Sequence, residues 1–433
     1  MLFRSIQYLR NKKVLKILHI NTRDYGGAAI AAIRLHKAML VEGVDSSMLF
    51  LEQSYPDIPA AIGFRKEEKN RSGYLIRKIV SVKNKLLEGI SQSQRNNAML
   101  ENREKGLEMF SFNPSDYDVS LHPAYREADV IHLHWTARFF DFRSFQRMRK
   151  PVIWTLHDMN PFTGGCHFSR DCTNYQTACK NCPQLAGTKD INNAWVNQEY
   201  KRKNLEGISP VITAPSNWMK SCSAKSLLFR NFKSLSIPNS VNLQVFKPLN
   251  KLFCREGLNW PTEKKIMLFV SEEIDNDRKG FDLLIKAQSE ITTSQILIFV
   301  IGTTGMPEIS IPGIRYQGRI NDERLMALAY SAADAVVIPS REDNLPNVMM
   351  ESLACGTPVI SFPVGGMPDV ITNGFNGLLA EEVTPESLAK TIADFFENPG
   401  IFKRNEISAH AGMLFSPQTQ ASAYIRLYKE MLN

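Results

Sequence analysis

Along the chain, short unbroken apolar runs alternate with stretches whose apolar positions recur at helical spacing. VLKILHI (14–20) predicts a buried strand, GG (26–27) a turn and AAIAAIRLHKAML (28–40) a helix. SSMLFL (46–51), DVIHLHW (129–135), PVIWTLHD (151–158) and PVITAPS (210–216) predict further strands. Such runs suit strands covered on both faces, hence parallel pairing with helical crossovers. A second series begins near residue 264 with IMLFV (266–270), QILIFVIG (295–302), IRYQG (314–318), AVVIPS (335–340) and PVISFP (358–363). Leu325, Leu328, Ala329 and Ala332 between them repeat at helical spacing. Two doubly wound α/β domains are expected, as 433 residues exceed what one core usually organises. The expected boundaries are 1–243 and 244–415, with a linker around 237–248 and a terminal helix over 416–433.

Residues 63–105 break this rhythm. They carry eleven Lys or Arg against five Glu, and Tyr74, Leu75, Ile79, Val82, Leu86 and Leu87 fall on a roughly helical stripe. Two readings stand: a helical insertion packed on its own domain, or a basic amphipathic face that meets an anionic membrane or a lipid-linked acceptor. The net charge of +8 allows nucleic acid, anionic lipid or a phosphorylated substrate, and does not choose among them. Apolar residues make up 43% and charged residues 22%, which excludes a fibrous or disordered chain. No apolar stretch is long enough to span a bilayer, and MLFRSIQYLRNKK lacks the apolar core of a signal peptide. A cytoplasmic location is therefore expected, with peripheral contact at the inner face of the membrane.

The chemistry concentrates in two loops of the second half. In SEEIDNDRKGFDLL, Arg278, Lys279 and Gly280 stand where a helix begins, and two cations beside a helix N-terminus suit a diphosphate. In VVIPSREDNLPNVMMESLACGTPVISFPVGGMPDVI, Asp343 follows a strand and Glu351 comes eight residues later on the next helix. Pro346 suits the start of that helix, and Gly356 and Pro358 its end. The paired carboxylates are fixed acceptors for sugar and ribose hydroxyls. Gly365 and Gly366 allow close backbone approach to a phosphate or sugar. His157 ends a strand of the first domain, which puts it at the cleft.

From Pro339 through Asp369 the sequence resembles the signature of glycosyltransferase family four: Pro-Ser, a carboxylate, seven residues, Glu, then Ala-Cys-Gly-x-Pro-Val and a Gly-Gly turn. The likeness extends to Gly26-Gly27, to LHD (156–158), to PSNW (215–218) and to IPN (237–239). TLHDMNPFTGGCHFS (155–169) and the cysteines after it resemble bacterial exopolysaccharide enzymes of the colanic-acid type. The resemblance implies a GT-B fold, two Rossmann-like domains facing a cleft, with the last helix returning to the first domain. It implies a retaining transfer of sugar from a UDP- or GDP-sugar to a glycan or lipid-linked glycan, by front-face substitution and with no cofactor required for catalysis. His157, Arg278, Lys279, Asp343 and Glu351 would be the catalytic set; Glu351 would hold ribose and Asp343 the sugar. Gly26, Gly27, Gly302, Asn344, Leu345, Val348, Gly365 and Gly366 would complete the donor site. Two departures stand out: Asp343 replaces the commoner Glu, and Glu273 occupies the place of an Arg.

Cys166, Cys172, Cys179 and Cys182 lie within the stretch 164–183. In a reducing compartment they suit a closed structural zinc site, with His167 as an alternative ligand; buried thiols or two disulfides are the other readings. Two rival functions are weighed. A GT-B epimerase or phosphorylase would share the fold, and a basic cysteine-cluster module would bind nucleic acid. The spacing of Asp343 and Glu351 favours transfer over the first. No paired Cys and His at finger spacing supports the second, so no nucleic-acid partner is expected.

Overall fold

The computed structural model describes residues 14–64, 90–291, 295–305 and 311–433. The first domain holds β1 (Lys16–Arg23), β2 (Asp45–Glu52), β3 (Ala61–Gly63), β4 (Val130–Leu133), β5 (Val152–Thr155), β6 (Val211–Ala214) and β7 (Ser234–Ser236). They pair in the order β3-β2-β1-β4-β5-β6-β7, every ladder parallel. The second domain holds β8 (Lys265–Glu273), β9 (Ile296–Thr303), β10 (Ile314–Gly318), β11 (Ala335–Ile338), β12 (Val359–Ser361) and β13 (Gly377–Leu379). Their order is β10-β9-β8-β11-β12-β13, again all parallel. The expected pair of doubly wound domains is thus present. β4, β5, β6 and β11 are buried at every position, as their unbroken apolar runs require.

In each sheet the strand order reverses at one place, between β1 and β4 in the first and between β8 and β11 in the second. Crevices open beyond the carboxyl ends of strands at such switch points. Five helices matter here: α1 (Gly27–Val41), α2 (Phe281–Glu290), α3 (Glu323–Ala332), α4 (Asn347–Ala354) and α5 (Pro417–Leu432). α5 crosses back to the first domain, where Ala421, Tyr424, Leu427 and Tyr428 pack with Ile17, Leu35, Met39 and Ile153. Its two tyrosines also bond the sheet from beneath: Tyr428 Oη to His132 Nδ1 at 2.6 Å and Tyr424 Oη to Thr155 Oγ1 at 2.8 Å.

β3, β7 and β13, three residues each, carry no readable period and were not predicted. Of the helical insertion expected over 63–105, the two ends lie among the described residues. Gly63 closes β3, and a short helix spans Gln92–Met99, capped by Ser91 and with no buried residue. The apolar stripe from Tyr74 to Leu87 lies outside the described residues. Among the described residues no helix is long and apolar enough to cross a membrane.

Candidate active site

β8 ends in a loop whose Asn276 side chain accepts from the Arg278 amide at 3.1 Å, turning the chain into α2. Gly280 makes that turn with φ +69°, and a Cβ there would lie 1.9 Å from the Pro339 carbonyl oxygen. Only glycine lets the β8 and β11 loops come this close. The contact brings Lys279 to Asp343: Nζ donates to Oδ2 at 2.5 Å. Asp343 also accepts from the Asn344 amide at 3.0 Å and from Ser340 Oγ at 3.4 Å, with Arg278 Nη1 at 3.6 Å. Burial works against its charge, but the two cations outweigh burial and hold the carboxyl below its ordinary range. Burial likewise draws the Lys279 ammonium down, against the pull of Asp343.

Arg278 is more embedded than its sequence neighbourhood suggested. Its guanidinium lies 4.0 Å over the Phe168 ring, donates to the Glu342 carbonyl at 2.9 Å and stands 3.3 Å from Glu108. Phe168 and Glu108 belong to the first domain, so Arg278 ties the domains together. Arg170, two residues past Phe168, pairs with Asp277 at 2.8 Å, and its amide donates to Glu342 Oε2 at 2.8 Å. Burial raises the Glu342 carboxyl to about 7.

Glu351 lies on α4 as expected, a little over one turn in, yet both its oxygens are engaged. Arg34 of α1 donates to Oε1 at 2.7 Å and Tyr330 of α3 donates to Oε2 at 2.9 Å. Arg34 reaches Glu323 at 2.7 Å as well, so one arginine bridges two carboxylates of the other domain. Asn344 makes a third tie. Its amide nitrogen donates to the carbonyls of Leu156 and His157 at 3.0 and 3.2 Å, and Ser216 donates to its oxygen at 2.6 Å. His157 and Asp343, remote in sequence, are thereby brought to one crevice.

Gly26 and Gly27 begin α1 and face the second domain. A Cβ on Gly26 would sit 3.4 Å from Glu272, and the Gly27 carbonyl accepts from Asn347 at 3.0 Å. At Gly365 and Gly366, both expected in the donor site, the direction a side chain would take is filled by the protein's own backbone. A Cβ would lie 1.6 Å from the Asp343 carbonyl oxygen at Gly365 and 1.9 Å from that of Asn344 at Gly366. They seat the carboxylate loop. Gly302 likewise presses on β8, at 2.0 Å from the Ser271 oxygen, while Leu345 is buried and Val348 packs on the second core.

Behind His157 runs a line of buried imidazoles. His157 Nε2 bonds His134 Nδ1 at 3.2 Å, and His134 Nε2 bonds His19 Nδ1 at 2.9 Å. Burial lowers His157 to about 4 and holds His134 and His19 well below their usual value, so the line is neutral. His19, His132 and His134 are the one group of three ligand atoms within 4.8 Å of one another among the described residues. His132 and His134, however, spend both ring nitrogens on hydrogen bonds, which favours a bonded network over a metal site. His167, expected as a spare zinc ligand, is also committed: Nδ1 bonds Asp158 at 2.5 Å and Nε2 bonds Ser111 at 3.0 Å. The cysteines at 166, 172, 179 and 182 are free and line one small cavity.

Sequence reasoning missed Arg34, Glu108, Phe168, Arg170, Glu323 and Tyr330. Each acts through a partner on a distant segment, and no local spacing marks them.

Residues 250–412 match the family described as Glycosyl transferases group 1. The D-inositol 3-phosphate glycosyltransferase of Segniliparus rotundus is 28% identical over 212 residues, covering 45% of this chain and 46% of that protein. The chain thus spans about half the length of that relative. Among solved structures, sucrose-phosphate synthase from Thermosynechococcus elongatus superposes with TM-score 0.65 at 19% identity, over 96% of this chain and 99% of that one. HepE of Anabaena in complex with UDP-glucose superposes with TM-score 0.61 at 14% identity, over 96% and 100%. At such identities the likeness speaks for the fold, which is GT-B.

Proposed function

We propose that the chain is a retaining glycosyltransferase that moves a sugar from a nucleoside-diphosphate donor to a glycan acceptor. The observation that carries this reading is the buried Lys279–Asp343 pair at the crevice, with Glu351 eight residues on in α4 and His157 facing it from the other domain. The match of residues 250–412 to group 1 glycosyl transferases supports it.

A diphosphate leaving group gains negative charge as the bond to the sugar's anomeric carbon breaks, and a fixed cation aimed at that charge lowers the barrier. Lys279 is the cation with freedom to act, because among the described residues its close side-chain partner is a carboxylate within the site. Donor binding would move the ammonium from Asp343 to the phosphates and turn Asp343 to the sugar hydroxyls. Glu351 would exchange Arg34 for the ribose hydroxyls, which donate to it as Arg34 now does. Arg278, packed between Phe168 and Glu342, would hold the phosphate loop in place. His157 spends Nε2 on His134 and offers Nδ1 to the sugar. The acceptor oxygen would bond the anomeric carbon on the face the diphosphate leaves, its proton passing to a phosphate oxygen.

The acceptor we propose is a lipid-linked glycan of surface or exopolysaccharide assembly, met from the cytoplasmic side of the membrane. The resemblance over 155–169 and the excess of Lys and Arg in 63–105 support this. Sedimentation with liposomes is expected to rise with anionic lipid and fall with salt. For the donor, thermal stabilisation against UDP- and GDP-sugars is the test. A ligand at about one hundred times its Kd stabilises by roughly 2.7 kcal/mol, and indifference to every nucleoside diphosphate would overturn the reading.

A further inference from the structure

At the switch point of the first sheet, the carboxyl ends of β1 and β4 lie side by side and open on the crevice. Arg23 is the last residue of β1, and Trp135 follows the end of β4. The half-buried Arg23 guanidinium lies 4.6 Å from the centroid of the Tyr25 ring and 4.9 Å from that of Trp135. It borders the second domain: a Cβ on Gly26 would stand 3.8 Å from Arg23 Nη2 and 3.4 Å from Glu272 Oε2.

Carboxylates stand close to this cation in the chain and in the sheet, and each is engaged elsewhere. Asp24 turns Oδ2 to the Ser54 and Tyr55 amides at 2.7 and 2.6 Å. Glu52, opposite Arg23 in the register of β1 and β2, accepts from Tyr25 Oη at 3.4 Å. Asp158 accepts from Trp135 Nε1 at 2.6 Å and bonds His167. Among the described residues the Arg23 side chain therefore makes no hydrogen bond and no ion pair; the two rings are its contacts. Glu52 and Asp158 instead pin the rings. The Trp135 amide donates to Asn21 Oδ1 at 2.8 Å, and Asn21 Nδ2 donates to the Arg23 carbonyl at 2.6 Å. Strand end, rings and cation are thus fixed before any ligand arrives. Aromatic rings attract a guanidinium through its charge and leave its N–H donors to other partners. A planar oxyanion is the partner that such a fork fits, through two parallel hydrogen bonds.

We propose that Arg23, clamped by Tyr25 and Trp135, is a subsite for an oxyanion, a phosphate or a carboxylate, carried by the acceptor. This rests on the transfer reaction proposed above. Lys279 and Arg278 already place cations beside Asp343 on the second-domain side. Arg23 rises from the first sheet, and the Asp158 that holds its Trp135 follows His157 in the chain. An acceptor anchored here is oriented next to the group offered to the donor sugar. A neutral acceptor would leave a half-buried cation without a counter-charge, so the clamp selects charged acceptors. The donor diphosphate is the other source of the same chemistry, and the test separates the two.

The test follows the Nε–H resonance of Arg23 in the isotope-labelled full chain, identified by its absence in Arg23→Lys. Inorganic phosphate and glucuronate, each titrated into protein saturated with UDP or GDP, should shift that resonance to a plateau, and glucose should not. Arg23→Gln should weaken both anions by about ten- to a hundredfold, followed on the Trp135 indole N–H. The same variant should bind UDP and GDP as the native chain does, measured by calorimetry. An Arg23 resonance indifferent to both anions would overturn the proposal. So would an equal loss of nucleotide affinity in Arg23→Gln, which would assign the cation to the donor. Failure of the wider reading shows separately, as a native chain that binds neither UDP nor GDP. Should Arg23→Gln not fold, the titrations of the native chain decide.

Discussion

Replacing Lys279 with Ala separates a phosphate-binding cation from a structural ion-pair partner, provided Asp343 is varied with it. In the native chain Lys279 Nζ lies 2.5 Å from a carboxylate that is 6% exposed. Breaking a buried pair from one side typically costs 3–5 kcal/mol, on the order of a lost counter-charge. Here Arg278 at 3.6 Å and the Asn344 amide at 3.0 Å remain on Asp343. The stability loss in Lys279→Ala should therefore fall near about 2–3 kcal/mol. Adding Asp343→Asn removes the stranded charge and should restore most of that loss. Turnover should behave differently. Losing one donor aimed at a developing charge costs roughly 2.7–4 kcal/mol, or about 10²–10³ in rate. That deficit should persist in the double variant, measured against Asp343→Asn alone. Denaturant unfolding gives the first quantity and single-turnover release of nucleoside diphosphate the second. If the double variant turns over as fast as Asp343→Asn, Lys279 only neutralises Asp343 and the phosphate role is wrong.

Glu351→Gln should weaken nucleotide binding by about tenfold, roughly 1.4 kcal/mol, and more than Asp343→Glu, which restores the commoner residue; an unchanged Kd by calorimetry would make Glu351 purely Arg34's partner. Acid should destabilise the first domain through its neutral histidines. His157 is lowered from 6.5 to about 4 by burial, so between those values the unfolded chain binds more protons. Stability is then full above pH 6.5 and falls as pH drops through that window; a midpoint flat from pH 7 to 4.5 would refute this. Glu342 has the opposite sign, for its carboxyl is raised to about 7 and the folded state loses stability as pH climbs through that value. Glu342→Gln should thus stabilise more at pH 8 than at pH 5, and equal melting shifts at both would show the carboxyl to be unstrained.

What the sequence determined by itself is what repeats or sits close along the chain. Unbroken apolar runs such as IMLFV and AVVIPS marked the central strands, because burial on both faces leaves no polar position. The eight-residue step from Asp343 to Glu351 set one carboxylate in the loop before α4 and the other on the helix itself. Arg278-Lys279-Gly280 marked the start of α2. Tertiary structure alone decided which of these groups meet and what restrains them. Arg34 and Glu351 are 317 residues apart, and Asn344 and His157 are 187 apart, so no local period could pair them. The two glycines after β12 read as sites of close backbone approach, but the loop that takes up their side-chain direction is in place only once β11 and β12 lie side by side. Likewise Arg278 reads as a free cation beside Lys279 until the loop carrying Phe168 folds over it. Local propensity and burial act over a few residues and survive in the bare sequence. The partners of a buried charge are chosen by the fold, since any group that reaches it across the crevice can supply the missing countercharge.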